Sequence, residues 1–138
     1  MSKNLTPREV LESYEAAAFR LSGVARRLLA DNPDLPVLQV TPSAGGVAYQ
    51  GGWATLQLSV DTEDDVKAWA LVLGVAAETK FFDQTSTVGR PFLFFDAKAE
   101  IDGVEVKIQT SRTVPDEELP LWRGKQQSAA AGTPGGGE

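Results

Sequence analysis

Residues 92 to 110 have the sequence FLFFDAKAEIDGVEVKIQT, in which two runs of strand-forming residues flank Asp102-Gly103. This dipeptide is preferred in the two-residue type I′ turn of a β-hairpin, because both central residues need a positive φ. A turn that tight places Ile101 opposite Val104. The same face then carries the other small and aliphatic side chains of the two runs, Ala97, Ala99, Val106 and Ile108. We predict an antiparallel hairpin with this face in the core.

The opposite face of the hairpin is charged. The predicted register places Glu100 opposite Glu105, and it also places Lys98 opposite Lys107. Like charges are therefore directly opposed, while opposite charges meet on the diagonals. We expect water to solvate this face.

A long helix precedes the sheet. Thr6-Pro7-Arg8-Glu9 has an N-cap residue, a proline at the first helical position and a glutamate that completes a capping box. Apolar residues then recur at three- and four-residue spacing, and Asp31-Asn32-Pro33 ends the helix. We predict helix 1 between these two signals.

The middle of the chain alternates strands and turns. We predict a strand at Val37 to Thr41, a turn at Ser43 to Gly46 and an edge strand at Val47 to Tyr49. The clean alternation from Trp53 to Val60 predicts a strand with one buried side. A second helix follows from about residue 63 to 73, where Gly74 is suited to end it.

These elements define an α+β fold. We predict a long N-terminal helix and a mostly antiparallel sheet of five or six strands, with a β-α-β-β-β segment from about residue 53 to 110. A further strand near Glu78 to Asp83 and a polar loop from Gln84 to Gly89 complete that segment. Both helices are expected on the face of the sheet that carries the central aliphatic side chains, Leu56, Leu58, Val106 and Ile108. Residues 1–113 would form this single domain.

Composition excludes several function classes. The 138 residues include no His and no Cys, which removes the usual general base, the thiolate nucleophile and the commonest zinc ligands. The net charge of -6 argues against binding to duplex nucleic acid. No apolar run is long enough to span a bilayer, and the first residues lack a hydrophobic secretory core. We expect a cytoplasmic protein with no catalytic, cofactor-binding or metal-binding residue.

Two groups of apolar residues are candidate partner-binding sites. Trp53, Phe92 and Phe94 lie opposite the core face of their strands, where either they bind a partner or another segment covers them. Residues 114–125 form an acidic segment with Pro, Leu and Trp, whose anchors are Leu119, Leu121 and Trp122. This segment could dock into a groove of another protein or fold back on its own domain. Residues 126–138 are of low complexity and are expected to form a flexible tail.

A third candidate is the acidic turn formed by Asp61, Glu63, Asp64 and Asp65. Clustered carboxylates can hold Mg²⁺ or Ca²⁺, but helix capping also accounts for these residues, and their spacing is not that of a calcium loop. We therefore interpret them as helix-capping residues.

The resulting prediction is a non-catalytic binding or adaptor protein that acts through protein contacts. A small accessory protein of a phage or mobile element is one setting for such a domain, and the long helix favours a homodimer. One alternative is single-stranded nucleic-acid binding, with Lys98 and Lys107 beside the three aromatic residues Trp53, Phe92 and Phe94.

A second alternative follows from a family resemblance. The order of one strand, one helix and three strands from residue 53 to 110 resembles the βαβββ module of the vicinal oxygen chelate, or glyoxalase-like, superfamily. The resemblance implies a site built from two modules that binds a divalent metal through His and Glu. This chain has one such module and no His, so it implies a ligand-binding or enzymatic dimer that uses carboxylates only.

Overall fold

A five-stranded sheet with helices on one side organises the computed structural model, which describes residues 3–83 and 90–131. In chain order the elements are α1 (Pro7–Asp31), β1 (Gln39–Val47), β2 (Gly51–Ser59), α2 (Glu63–Leu73), β3 (Glu78–Phe82), β4 (Phe92–Ile101), β5 (Val104–Thr113), a 3-10 turn (Asp116–Glu118) and α3 (Leu119–Ala131). The predicted α+β class is confirmed. Within the described residues, no helix is long and apolar enough to cross a membrane.

The strands lie in the order β1-β2-β5-β4-β3. Neighbouring strands are antiparallel except for β2 and β5, which are parallel. A parallel pair needs a crossover connection, and the chain from α2 through β4 provides it. The sheet is therefore mixed and mostly antiparallel.

The helix boundaries follow from local capping chemistry. Thr6 Oγ1 accepts a hydrogen bond from the Glu9 amide at 3.2 Å, and the Glu9 carboxylate accepts one from the Thr6 amide at 2.8 Å. Thr62 and Asp65 form the same reciprocal box at the start of α2. Gly74 ends α2 in the left-handed conformation, with φ of 74°. Both predicted helices are confirmed.

The β4-β5 hairpin has the predicted turn and register. Asp102 and Gly103 have φ values of 51° and 79°, as a type I′ turn requires. Ile101 pairs with Val104, and the pairing continues without a bulge to Phe92 and Thr113. The sequence pattern was sufficient here because turn type and alternation specify the same register.

The prediction for residues 43 to 49 is wrong. Residues 43 to 46 lie inside β1 rather than in a turn, and the chain reverses after Val47. Gly46 pairs directly with Gly52 on β2, and both lie beneath the backbone of α1. These glycines therefore allow a helix to approach the sheet closely, which is a role that glycine also serves in strands.

The core lies between the sheet and the helices α1 and α2. α1 contributes Ala17, Leu21 and Val24, while α2 contributes Val66, Trp69 and Ala70. They pack against the buried sheet residues, among them Leu56, Leu58, Val106 and Ile108, so the predicted packing face is confirmed. The one polar atom of the Trp69 side chain is satisfied, because Nε1 donates to the Pro36 carbonyl at 3.2 Å.

The C-terminal segment returns to the domain. Val114 is buried, and Leu119 and Trp122 pack against the core. Arg123 forms a salt bridge with Asp83 at 3.1 Å. The stretch predicted as a tail from Gln126 begins within α3, which continues to Ala131. The rest of that stretch and the predicted loop at 84–89 lie outside the described residues.

Candidate functional site

One face of the sheet carries no helix in the described part of the chain. The core residues of α1, α2 and α3 all pack on the other face. We call the uncovered side the open face; by strand register it includes Gln39, Thr41, Ser43, Gly45, Trp53, Thr55, Gln57, Ser59, Glu78, Lys80, Phe82, Phe92, Phe94, Asp96, Lys98, Glu100, Glu105, Lys107, Gln109, Ser111 and Thr113. An antiparallel sheet can leave one such face in water when its side chains are polar.

Charged side chains on the open face lie in cross-strand rows of alternating sign. Starting at the β4-β5 turn, the rows are Glu100 with Glu105, Lys98 with Lys107, Asp96 with Glu78, and then Lys80. Like charges are thus directly opposed within a row, which is unfavourable. Among the described residues, none of these seven side chains forms a salt bridge. The open face therefore presents charges that the described part of the chain leaves unpaired.

Asp96 differs from the other charged residues of the open face because it is buried. Its exposed fraction is 2%, and neither carboxylate oxygen has a hydrogen-bond partner among the described residues. Its cross-strand neighbours are Glu78 and Gln109. Removing a charged group from water without a partner costs several kcal/mol. Such a group needs a compensating interaction.

A cavity is lined in part by Asp96. Its volume is about 210 Å³, and it is lined by Asp96, Glu78, Lys98, Val75, Ala76 and Ala97. The loop that follows α2 therefore forms one wall, and β3 and β4 form the others. The sequence pattern does not single out Asp96, since alternation alone places it between Phe94 and Lys98 on a face expected to be solvated. The signal in the sequence is an aspartate within the apolar run FLFFDA.

The aromatic candidates share the open face but lie far apart. Trp53 precedes Thr55, the partner of Glu105, by two residues, whereas Phe94 pairs with Ser111. The resulting offset of about eight residues along β5 corresponds to roughly 26 Å at about 3.3 Å per residue. Trp53 packs over Gly45 and is 43% exposed. These residues do not form one continuous patch.

At the end of the open face that carries Phe94, aromatic rings contact one another and a lysine. Phe92 and Phe94 are half-buried, and the Phe92 ring stacks on Phe82 with centroids 4.9 Å apart. The Lys107 ammonium lies 5.2 Å from the centroid of the Phe94 ring. This distance is within the range of a cation-π contact.

A shallow depression adjoins Phe94. It has a volume of about 340 Å³, and its apolar lining residues are Leu38, Val60 and Phe94. Its lining also includes the polar residues Ser59, Gln109 and Ser111 of the open face. The depression and the Asp96 cavity lie on neighbouring parts of the sheet, because Asp96 pairs with Gln109.

The C-terminal candidates hold α3 to the domain. Trp122 contacts Phe81 at a centroid distance of 6.2 Å, and Lys125 lies 4.6 Å from the centroid of the Trp122 ring. Leu119 also packs against the core, while Leu121 is 57% exposed. Of the three predicted anchors, Leu121 is the one that faces solvent.

The acidic turn before α2 is used for helix capping. Asp65 completes the capping box, and Glu63 forms a salt bridge with Lys67 at 3.2 Å. In the ranges 3–83 and 90–131 there is no group of three or more side chains suited to hold a metal ion. The local geometry agrees with the capping interpretation.

Comparisons with protein-family models, curated proteins and solved structures found no match. The resemblance of residues 53 to 110 to the glyoxalase-like module therefore depends on element order alone.

Proposed function

We propose that this protein is a non-catalytic binding domain that docks another protein on the open face of its sheet. Three features of the described residues carry the proposal together: a sheet face without a helix, charged rows without internal salt bridges, and a buried carboxylate within those rows. A face that served only to contact water would keep its charges hydrated. Asp96 is instead removed from water and lacks a hydrogen-bond partner among the described residues, so a donor from a partner would offset the cost of its desolvation.

The charge pattern indicates the chemistry of the partner. The row of Asp96 and Glu78 is complementary to basic side chains of a partner, and the neighbouring row of Lys98 and Lys107 is complementary to acidic ones. Complementary rows on a partner would neutralise each pair of directly opposed like charges. The half-buried Phe94 adds apolar contact area beside these rows.

Site-specific crosslinking tests this proposal. A photoreactive residue at Ser111 would probe the open face, and the same residue at Leu71, which is 83% exposed on α2, would be the matched control. The expected result is a discrete crosslinked protein from position 111 and not from position 71. After identification, its purified form should bind the full chain and should bind a Lys98→Glu variant more weakly.

Two results would contradict this proposal: equal crosslinking from both positions, or undiminished binding by the Lys98→Glu variant. A crosslink between two copies of this chain would identify the partner as a second copy. Light scattering at micromolar concentration would then have to show a dimer, and a monomer would exclude that assignment.

Single-stranded nucleic-acid binding is a second candidate. The contact of Lys107 with Phe94 and the nearby Lys80 favour it, because such proteins combine aromatic stacking with basic side chains. The carboxylates of the charged rows oppose it, since they repel phosphate. Fluorescence anisotropy of a labelled oligothymidylate at low salt distinguishes the two: binding that Phe94→Ala abolishes supports this candidate, and absence of binding removes it.

A further inference from the structure

We infer that the cavity at Asp96 is a site for a guanidinium group, supplied by an arginine side chain of the docked protein. This inference rests on the proposed function and names the anchor of that interaction. Its basis is the cavity, its carboxylates and the absence of a partner for Asp96 in the described part of the chain.

No cation among the described residues neutralises Asp96. Lys98 lies two residues further along the same face, yet no salt bridge joins the two side chains. The Lys107 ammonium lies over the Phe94 ring instead. Both Asp96 oxygens therefore keep their capacity to accept hydrogen bonds, and because both are buried, a donor from another molecule reaches them only when neighbouring side chains move.

The cavity can admit a planar cation. Its volume of about 210 Å³ is several times the share of one water molecule, ~30 Å³. Two of its lining residues, Glu78 and Lys98, are exposed, so their side chains can move when a ligand enters. The Glu78 residue lies directly across from Asp96 and provides a second carboxylate acceptor.

The donor set favours guanidinium over a divalent cation. Ca²⁺ takes about six to eight oxygen ligands, and Mg²⁺ demands near-octahedral geometry. Here two carboxylates line the cavity together with a cationic lysine, Lys98. A guanidinium presents a planar fork of donors that can bond both oxygens of one carboxylate and still reach another.

Nuclear magnetic resonance titration of the full chain tests this inference. The probe is N-acetylarginine methylamide, and N-acetylcitrulline methylamide is its neutral isostere. We expect saturable shifts of the amide signals of Ala76, Glu78 and Ala97 with the arginine compound and none with the citrulline compound. Asp96→Asn should weaken binding at least about tenfold, the scale of a charged hydrogen bond.

A matched variant separates a specific site from general attraction. Glu100→Gln removes an exposed carboxylate from the same strand and face, and it should leave the dissociation constant within about twofold. Equal weakening by both variants would overturn the inference, as would shifts with citrulline or saturable binding of MgCl₂ at the same amides. Correct folding of each variant is checked by its remaining amide spectrum.

Failure of the guanidinium inference and failure of the docking proposal give different results. If position 111 captures a partner but the arginine compound does not bind, the guanidinium anchor is wrong and the docking proposal stands. If the arginine compound binds and no open-face partner exists, the docking proposal is wrong. A docked protein would then be excluded as the source of the guanidinium group, and the inference in its stated form would fail.

Discussion

Replacing Gly52 by alanine tests the close packing of α1 on the sheet. A Cβ built on Gly52 overlaps the Ser13 carbonyl oxygen, lies 2.8 Å from the Ser13 carbonyl carbon and lies 3.1 Å from the Ala17 Cβ. The Ser13 atoms belong to the helix backbone, so no side-chain rotation relieves the overlap. Gly52 does not have a positive φ, and the effect of alanine is therefore steric rather than conformational.

The loss of stability on Gly52→Ala can be estimated from the displacement of α1 that the added Cβ requires. α1 would have to lift from the sheet where Ala17 is fully buried and where Leu21 and Val24 are nearly so. Overpacking of a core costs about 1–3 kcal/mol and occasionally more, and a backbone clash belongs at the upper end. We expect Gly52→Ala to lower the free energy of unfolding by ~3 kcal/mol. At roughly 4 °C per kcal/mol, Tm would fall by ~12 °C.

Urea denaturation followed by circular dichroism provides the measurement, with Gly23→Ala as the control. Gly23 lies within the same helix and a Cβ there meets nothing within 4 Å, so alanine should stabilise the protein by ~1 kcal/mol. Ser13→Ala should not rescue Gly52→Ala, because the clash is with the carbonyl group. A Gly52→Ala stability within about 0.5 kcal/mol of wild type would refute the close approach of α1.

Four further predictions use stability measurements. Gly45→Ala would place its Cβ 2.8 Å from the Trp53 ring, which is a movable side chain, so we expect the free energy of unfolding to fall by ~1 kcal/mol. The loss should disappear in a Trp53→Ala background, and a double-mutant cycle without coupling would contradict the contact. Asp96→Asn should raise the free energy of unfolding by about 1 kcal/mol in urea denaturation, because it removes a buried charge that has no partner among the described residues. A loss of stability would show instead that the carboxylate supports the fold. In the same assay, Trp122→Ala should lower the free energy of unfolding by ~2 kcal/mol, because Trp122 packs against the core, whereas the exposed Leu121→Ala should change it by less than ~0.5 kcal/mol. Equal effects of the two variants would contradict the packing of α3. Millimolar Mg²⁺, Mn²⁺ or Ca²⁺ should leave Tm unchanged in scanning calorimetry, because the described residues offer no three-ligand cluster, and a clear rise would instead support the glyoxalase-like alternative.

Local sequence patterns determined α1, α2, the hairpin and the face that each strand buries, but they did not predict α3. Thr6 and Thr62 begin helices through bonds to residues three positions away, and Asp102-Gly103 sets the register of β4 and β5 through its own backbone angles. These interactions lie within a few residues of one another in the chain. They can therefore be predicted without knowing which strands are neighbours.

Only the tertiary structure decided the features on which the proposed function depends. Gly46 and Gly52 resemble turn glycines until strand pairing brings them together beneath α1. Asp96 has the pattern of a solvated charge, and its burial arises where β3, β4 and β5 lie side by side. The distance between Trp53 and Phe94 depends on strand order and direction. Alternation specifies the face of a strand but carries no information about its neighbours, so the environment of a residue emerges only when distant segments pack together.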